Sequence, residues 1–309
     1  MNRATVRFGH LASIGALAAA MVLAGPAAAA KTKPQFPLTV KAANGAVTIR
    51  RQPQRIVSLS PSATEDLFAV GAGKQVVAVD SYSSYPKNAP HTNLSAYKPN
   101  LEAIAKYRPD LVVISDDMNH IAEDLAKLHV PVLLEPAAAN LNTVYGEIEQ
   151  IGTATGHARG AAHTVETMRR QIAAIVHSVP RPVRPLSVYH ELDQTDYSAN
   201  SHTFIGQMYT LLGLQNIADK ATGGGDYPRL SAEYIIASNP DLIVLADTVC
   251  CGQTRATVAA RPGWSNINAV KTGEIVPIND SIASEWGPRI VLFLKAIASA
   301  VRTLEANGG

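Results

Sequence analysis

Two stretches of this chain contain the residue types from which a hydrolytic or metal site is built. Asp116-Asp117-Met118-Asn119-His120 sets carboxylates beside an imidazole directly after an apolar run, and His190-Glu191-Leu192-Asp193 does so again further on. Such pairs bind metals or activate water. Neither stretch brings the partners that chemistry needs. There is no G-x-S-x-G elbow to expose a nucleophilic serine, and none of the nine histidines falls in an H-x-x-x-H or H-E-x-x-H pattern. Gly223-Gly224-Gly225 lacks the Lys-Ser/Thr of a phosphate loop, and Gly71-Ala72-Gly73 follows a helical stretch, where it reads as a helix end. The expectation is a non-enzyme with no catalytic residue, no bound metal and no cofactor. An exported α/β hydrolase using Asp116, His120 or His190 is the remoter alternative.

The two cysteines are adjacent, Cys250 and Cys251. Neighbouring side chains point apart, which opposes ordinary disulfide geometry. A strained vicinal disulfide, free thiols and a bond between chains all stay open. Without a nearby His or further Cys the pair makes a poor zinc site.

The tyrosines fit a different chemistry, recognition of a large and partly polar ligand. Tyr82 and Tyr85, then Tyr197 in Asp196-Tyr197-Ser198-Ala199 and Tyr227 before Pro228, fall on loops beyond expected strands, as do Asp116, Glu285 and Trp286. Open α/β sheets bind ligands beyond the carboxyl ends of their strands. Aromatic rings there offer flat apolar area with a polar tip. These seven residues are the expected ligand-binding set.

The elements that must position them are marked by an internal echo. Asn100-Leu101-Glu102-Ala103-Ile104 runs through Arg108-Pro109-Asp110 into Leu111-Val112-Val113-Ile114; Ser231-Ala232-Glu233-Tyr234-Ile235 runs through Asn239-Pro240-Asp241 into Leu242-Ile243-Val244-Leu245. The interval from Glu to Asp is the same in both. Each copy reads as an N-cap, a short helix opening with Glu, a Pro-Asp stop and a buried strand. One copy in each half of the chain indicates two similar α/β lobes.

The remaining pattern agrees. A hairpin is expected across Asn44-Gly45. Arg55–Leu59, Val76–Val79 and His129–Leu134 read as strands, with a helix after Ser60-Pro61 that Ser62 caps and Glu65 closes. Asn142 or Thr143 caps a helix ending at Thr155-Gly156. From Ala158 to Val176, Ala161, Val165, Met168, Ile172 and Ile175 recur at four- and three-residue steps, an amphipathic helix placed to connect the lobes. Leu186–Tyr189 and Val276–Ile278 read as strands, Phe204–Leu212 as a helix, and Pro288 opens a C-terminal helix.

At the N-terminus, Arg3 and Arg7 precede an apolar run, Leu11–Leu23, and Ala27–Ala30 offers an A-x-A cleavage site, the layout of a secretory signal peptide. Pro26 stands where a lipoprotein would carry Cys, so the exported chain is expected in the periplasm or cell-envelope space, without a lipid anchor. The 309 residues are 47% hydrophobic and 17% charged, with a net charge of +2, values that point to neither nucleic acid nor an acidic membrane as partner. A monomer is expected. The partition reads 1–30 signal peptide, 31–141 N-terminal lobe with its hairpin, 142–179 helical connector and 180–309 C-terminal lobe.

The chain resembles the cobalamin and ferric-siderophore family of periplasmic binding proteins, which serve ABC importers. The resemblance rests on Arg55–Glu65, Ser81–Pro86, the two echoes, Arg261-Pro262-Gly263-Trp264 with Ala269–Gly273, and Gly287-Pro288-Arg289-Ile290. It implies two Rossmann-like lobes with central, mostly parallel sheets joined by a single long rigid helix. It also implies that Glu102 and Glu233 dock onto arginines of a permease dimer coupled to its ATPase. In the family's cobalamin binders Tyr82 matches a ligand-contacting tyrosine and Tyr227 stands at a tryptophan position; Ala96 and Ser115 replace two further tryptophans. Glu285 replaces an arginine, with Trp286 beside it, and a negative Glu285 would disfavour an anionic ferric complex. A corrinoid is the ligand expected first, a ferric siderophore or haem second.

Overall fold

Short runs rich in Val, Ile and Leu, each broken by Pro or Gly, become two separate parallel sheets. A computed structural model describes residues 35–180, 182 and 184–307; the expected signal peptide lies outside them. The hairpin forms as expected, β1 (Leu38–Ala42) pairing antiparallel with β2 (Gly45–Ile49). Then follow β3 (Ile56–Leu59), α1 (Pro61–Ala69), β4 (Val76–Asp80), β5 (His91–Leu94), α2 (Leu101–Ala105), β6 (Leu111–Ile114), α3 (Ile121–Lys127) and β7 (Val132–Leu134). The five strands after the hairpin form one parallel sheet in the order β5-β4-β3-β6-β7. β5 has no apolar signature, so its sequence did not announce a strand.

Two helices follow, α4 (Leu141–Thr155) and α5 (Ala158–His177). The second half continues with β8 (Ser187–Glu191), α6 (Phe204–Leu211), β9 (Gln215–Asn216), α7 (Ala232–Ser238), β10 (Leu242–Leu245), α8 (Arg255–Ala259), α9 (Asn268–Thr272), β11 (Ile275–Pro277), α10 (Asp280–Ser284) and α11 (Ile290–Ala306). Its four strands are also parallel, in the order β11-β10-β8-β9.

Two local expectations are corrected. α1 is capped by Ser60, whose side chain accepts from Ala63 N–H, rather than by Ser62. Pro61 lacks an N–H and fits the first helical position, so the helix starts earlier and Glu65 closes no capping box. Asn140, not Asn142 or Thr143, caps α4. The break expected at Thr155-Gly156 is present, two helices parting at Gly156, whose φ of +83° suits glycine. α5 alone is the long rod, 20 residues and so about 30 Å.

Strand alternation divides the core into three. Val57, Leu59, Val112 and Ile114 face one cluster on the outer side of the first sheet. Tyr189, Ile243 and Leu245 face another on the outer side of the second. The inner faces, through Leu111, Val113, Val188 and Val244, join a single cluster that continues across α1, α4, α5, α6 and α11. The two sheets thus share one apolar core, and a joint of that kind resists hinge motion. α5 is seated so close to the end of α1 that a Cβ on Gly160 would strike the Val70 carbonyl.

The echo has a shared structural reason. Asp110 accepts from Gln54 N–H (3.1 and 3.0 Å) and Arg55 N–H (2.8 Å), capping the start of β3. Asp241 accepts from Ser187 N–H (2.9 Å) at the start of β8 and also binds Arg184. In each lobe the Pro-Asp carboxylate ties its own strand to the central neighbour.

Candidate ligand-binding cleft

Strand carboxyl ends from both sheets meet around a cavity of about 560 Å³. One wall carries Tyr82, Tyr97, Asp116 and Met118, from loops after β4, β5 and β6; the other carries Cys250, after β10, and Glu285 and Trp286, after β11. A larger hollow of about 890 Å³ lies under the hairpin, beside Asp110 and Pro131, at the opposite ends of the strands. Since ligands of open α/β sheets sit at the carboxyl ends, the smaller cavity is the candidate.

The first wall is preorganised from below. Asp80 is buried at the end of β4 and accepts from Ser83 Oγ (2.5 Å) and Tyr82 N–H (3.3 Å), which fixes the turn that presents Tyr82. Burial raises the Asp80 carboxyl, partly offset by these bonds. Tyr82 and Tyr97 stand edge to face, ring centroids 5.4 Å apart, and remain 60% and 65% exposed. Two rings held so open to water are contact area awaiting a partner. Asp117, next to the exposed Asp116, accepts from Ala122 N–H (2.9 Å) and serves α3.

The second wall meets the first through a buried polar joint. Trp286 donates its backbone N–H to Ser62 Oγ on α1 (3.2 Å), and its ring packs on Phe204 at 6.0 Å. Arg289 donates Nε–H to Glu65 Oε1 (2.7 Å), a second N–H to the same oxygen and one to Glu285 Oε2 (3.1 Å). Asp66, Glu135 and Glu147 lie in the same interior, with Asp66 Oδ1 and Glu135 Oε1 unpartnered. Burial and the neighbouring Glu147 push Glu135 up to about 8, and burial takes Glu147 to about 7 against an opposing hydrogen bond from Trp286. Burial and Glu65 push Glu285 up to about 9. Burial and Glu65 thus favour the protonated form of Glu285, while Arg289 opposes them. The expectation that Glu285 disfavours anionic ligands thus meets a carboxyl already paired with Arg289.

Beneath the second wall, Glu191 at the end of β8 is fully buried and held by both arms of Arg261 at 2.6 Å. Arg261 also stacks over Trp264 at 4.5 Å, which explains the Arg261-Pro262-Gly263-Trp264 motif. Asp247, two residues past β10, is buried against this pair, and burial with Glu191 pushes it up to about 7.

The expected ligand set is only partly assembled. Tyr82, Asp116, Glu285 and Trp286 line the cavity. Tyr85, Tyr197 and Tyr227 do not. Tyr85 lies 4.1 Å under the Arg289 guanidinium. Tyr197 bridges Arg229 in a pair of C-terminal-lobe segments that also includes Tyr227, where Ser198 N–H donates to the Pro228 carbonyl (2.9 Å). Tyr97, Met118 and Cys250 were missed. Tyr97 follows a strand with no apolar signature, and Cys250 reaches the cleft only because Asp280 folds its loop back. His190, the hydrolytic candidate, is fully buried, contacts Tyr209 Oη at 2.5 Å and is pushed down to about 3 by burial, so it is no accessible base.

Glu102 and Glu233 are both exposed in the first turns of α2 and α7. Their caps are equivalent, Asn100 Oδ1 accepting from Ala103 N–H (2.8 Å) and Ser231 Oγ from Tyr234 N–H (3.2 Å). Hydrogen bonds from its own amide and from Ser231 lower the Glu233 carboxyl. Cys250 and Cys251 are free thiols. Among the described residues, no group of three or more His, Cys, Asp or Glu is arranged to hold a metal, and no helix is long and apolar enough to cross a membrane.

Residues 56–281 match the family described as periplasmic binding protein. A cobalamin-binding protein of Halobacterium salinarum is 31% identical over 315 residues, covering 94% of this chain and 84% of the relative. An uncharacterized ABC transporter substrate-binding lipoprotein of Bacillus subtilis is 31% identical over 303 residues, covering 92% of this chain and 94% of its own. A solved structure of a possible iron-binding (periplasmic solute-binding) protein from Staphylococcus epidermidis is 27% identical, with a TM-score of 0.69 over 81% of this chain and 99% of that one.

Proposed function

The chain belongs to the periplasmic binding protein family, and from that premise we propose that it captures a corrinoid in the inter-lobe cleft and delivers it to an ABC importer. The observation that carries the reading is the cleft itself, with Tyr82, Tyr97 and Trp286 presenting ring area around about 560 Å³ and Glu285 paired with Arg289 beside them. Such a surface suits a broad, largely uncharged macrocycle better than a compact anion. The cobalamin-binding relative supports the same ligand.

A ferric siderophore or haem is the second reading. It is favoured by the iron-binding description of the structural relative and by Arg289, which stands behind Glu285. Fluorescence titration of the mature chain with cyanocobalamin, a ferric hydroxamate and haemin separates these. Saturable quenching by cyanocobalamin alone is expected. Saturation by either iron ligand without cyanocobalamin would overturn the first reading in favour of the second.

Glu102 and Glu233 are assigned to the permease, one carboxylate at each lobe tip. A carboxylate in the first turn also favours its own helix by about 0.3–1 kcal/mol, and that position leaves it facing solvent. The chain acts outside the cytoplasm. We assign it an export signal at 1–30 and no lipid anchor, although the Bacillus subtilis relative is named a lipoprotein. The mass of the exported chain tests this: a cut near Ala30 without added lipid supports it, and a lipid adduct contradicts it.

A further inference from the structure

Cys250 and Cys251 are unused by the account above, yet one of them forms part of the cleft. Cys250 is exposed on the second wall and Cys251 is partly exposed beside it. Their loop hangs on one carboxylate. Asp280, which also lines the cavity, accepts from Val249 N–H (2.9 Å), Cys250 N–H (2.7 Å) and Thr248 Oγ1 (3.2 Å). On its other side Cys251 N–H donates to the Asp247 carbonyl (3.3 Å). The Cys250 thiol thus sits on a loop whose backbone is held by the Asp280 carboxylate, next in the chain to the Cys251 thiol.

We infer that Cys250 and Cys251 are a redox-sensitive modification site, closing reversibly to a vicinal disulfide that weakens ligand binding in the cleft. The oxidant is a small-molecule disulfide, RS–SR. Either thiol can open the exchange. Where Cys251 does so, its sulfur attacks RS–SR, the S–S bond breaks and one RSH leaves. The Cys250 sulfur then displaces RS− from the mixed disulfide, and the Cys250 proton passes through water to that thiolate, which leaves as the second RSH. Two thiols are oxidised, one disulfide is reduced, and two RSH are released.

Closure must deform the loop. Adjacent Cα atoms across a trans peptide are about 3.8 Å apart, short of the usual disulfide span. The Cys250–Cys251 backbone has to shift, and that strains or breaks the Cys250 N–H to Asp280 bond. The cleft then loses the Cys250 thiol to the ring and gains a less satisfied Asp280 carboxylate, a poorer surface for an uncharged macrocycle. A strained ring is easily reduced, so its state follows the surrounding thiol–disulfide balance.

The ligand readout rests on the corrinoid reading. The mature chain is equilibrated with glutathione disulfide or with dithiothreitol, then assayed for free thiols, mass and cyanocobalamin affinity. Oxidation is expected to remove both thiols, lower the mass of the monomer by two hydrogens and weaken cyanocobalamin binding by about tenfold. C250S and C251S should bind alike under both conditions. Two thiols surviving glutathione disulfide, a disulfide between chains, or equal affinity in both states would overturn the inference. If cyanocobalamin binds neither form, the corrinoid reading fails. The inference then stands or falls on whether oxidation changes amide exchange across Asp247–Gln253 and intrinsic fluorescence: a change supports it, and no change overturns it.

Discussion

The two echoed segments share their helix, their Pro-Asp junction and their strand, and they part company two residues later. Beyond β6 the chain places Asp116 in the open cleft; beyond β10, at the same register, it places Asp247 in the interior against Glu191 and Arg261. The common part sets strand ends facing one another. The divergent part decides which wall shows polar groups to a ligand. The first wall presents Tyr82, Tyr97 and Asp116 from loops directly after its strands. The second buries its strand-end carboxylates and lines the cavity with the exposed Cys250 and the partly buried Glu285 and Trp286 instead. Duplicated architecture therefore leaves recognition free to differ between the lobes.

If the tips are still equivalent, each should matter to uptake. Glu102→Ala with Glu233→Ala should abolish transport with ligand affinity unchanged, and either alone should lower it by a similar factor. Transport assays in cells paired with titration of the purified variant read this out. One silent tip would break the equivalence, and lost affinity would contradict the docking role.

Arg261→Met tests the divergent part. It leaves Glu191 buried without its counter-charge, a loss of about 3–5 kcal/mol in urea unfolding. Asp116→Asn, on the exposed side of the comparison, should stay within about 0.5 kcal/mol. Similar values for the two would mean that Glu191 and Arg261 are not a buried pair.

The shared junction predicts a smaller contrast. Asp241→Ala strips Ser187 and Arg184 of their acceptor and should cost about 2–3 kcal/mol, and Asp110→Ala about 1–2 kcal/mol. A reversed order would show that the Arg184 contact contributes nothing.

The pH dependence is gentler still. Glu135, Glu147 and Glu285 are raised in the folded chain to about 8, 7 and 9, so the folded state holds protons that the unfolded state has released. Their contribution is full below the ordinary carboxylate range and is lost as pH rises toward those values. His190, lowered to about 3, acts in the opposite sense, its contribution lost as pH falls below about 6.5. Above that point the carboxyls are unopposed by His190. The melting temperature should fall between about pH 6.5 and pH 9, and Glu147→Gln should flatten the fall; a rise over that window would contradict the buried acid joint.

The architecture was legible because it is encoded locally. Asn100, Pro109 and Asp110, and their counterparts Ser231, Pro240 and Asp241, act within a few residues of themselves or on the strand next door. The cleft was legible only where a loop follows its strand directly, as for Tyr82 and Asp116. Arg289 and Glu65 are 224 positions apart, and nothing near either names the other. Glu285 shares Arg289 with Glu65, so its surroundings are set partly by that distant contact. Tyr197 and Tyr227 lie in segments whose backbones pair around Arg229, and their rings, though 42% and 41% exposed, are not in the lining of this cavity.

That last distinction gives the most direct test of the claim that the ligand lies between the two strand-end walls. The measurement is cyanocobalamin affinity for Tyr82→Ala and Tyr97→Ala against Tyr197→Ala and Tyr227→Ala, all on the reduced chain. The exposed rings of the cavity should each cost about tenfold in affinity, and the other two should leave it unchanged. Loss confined to Tyr197 and Tyr227, with Tyr82 and Tyr97 silent, would place the ligand elsewhere and contradict the account.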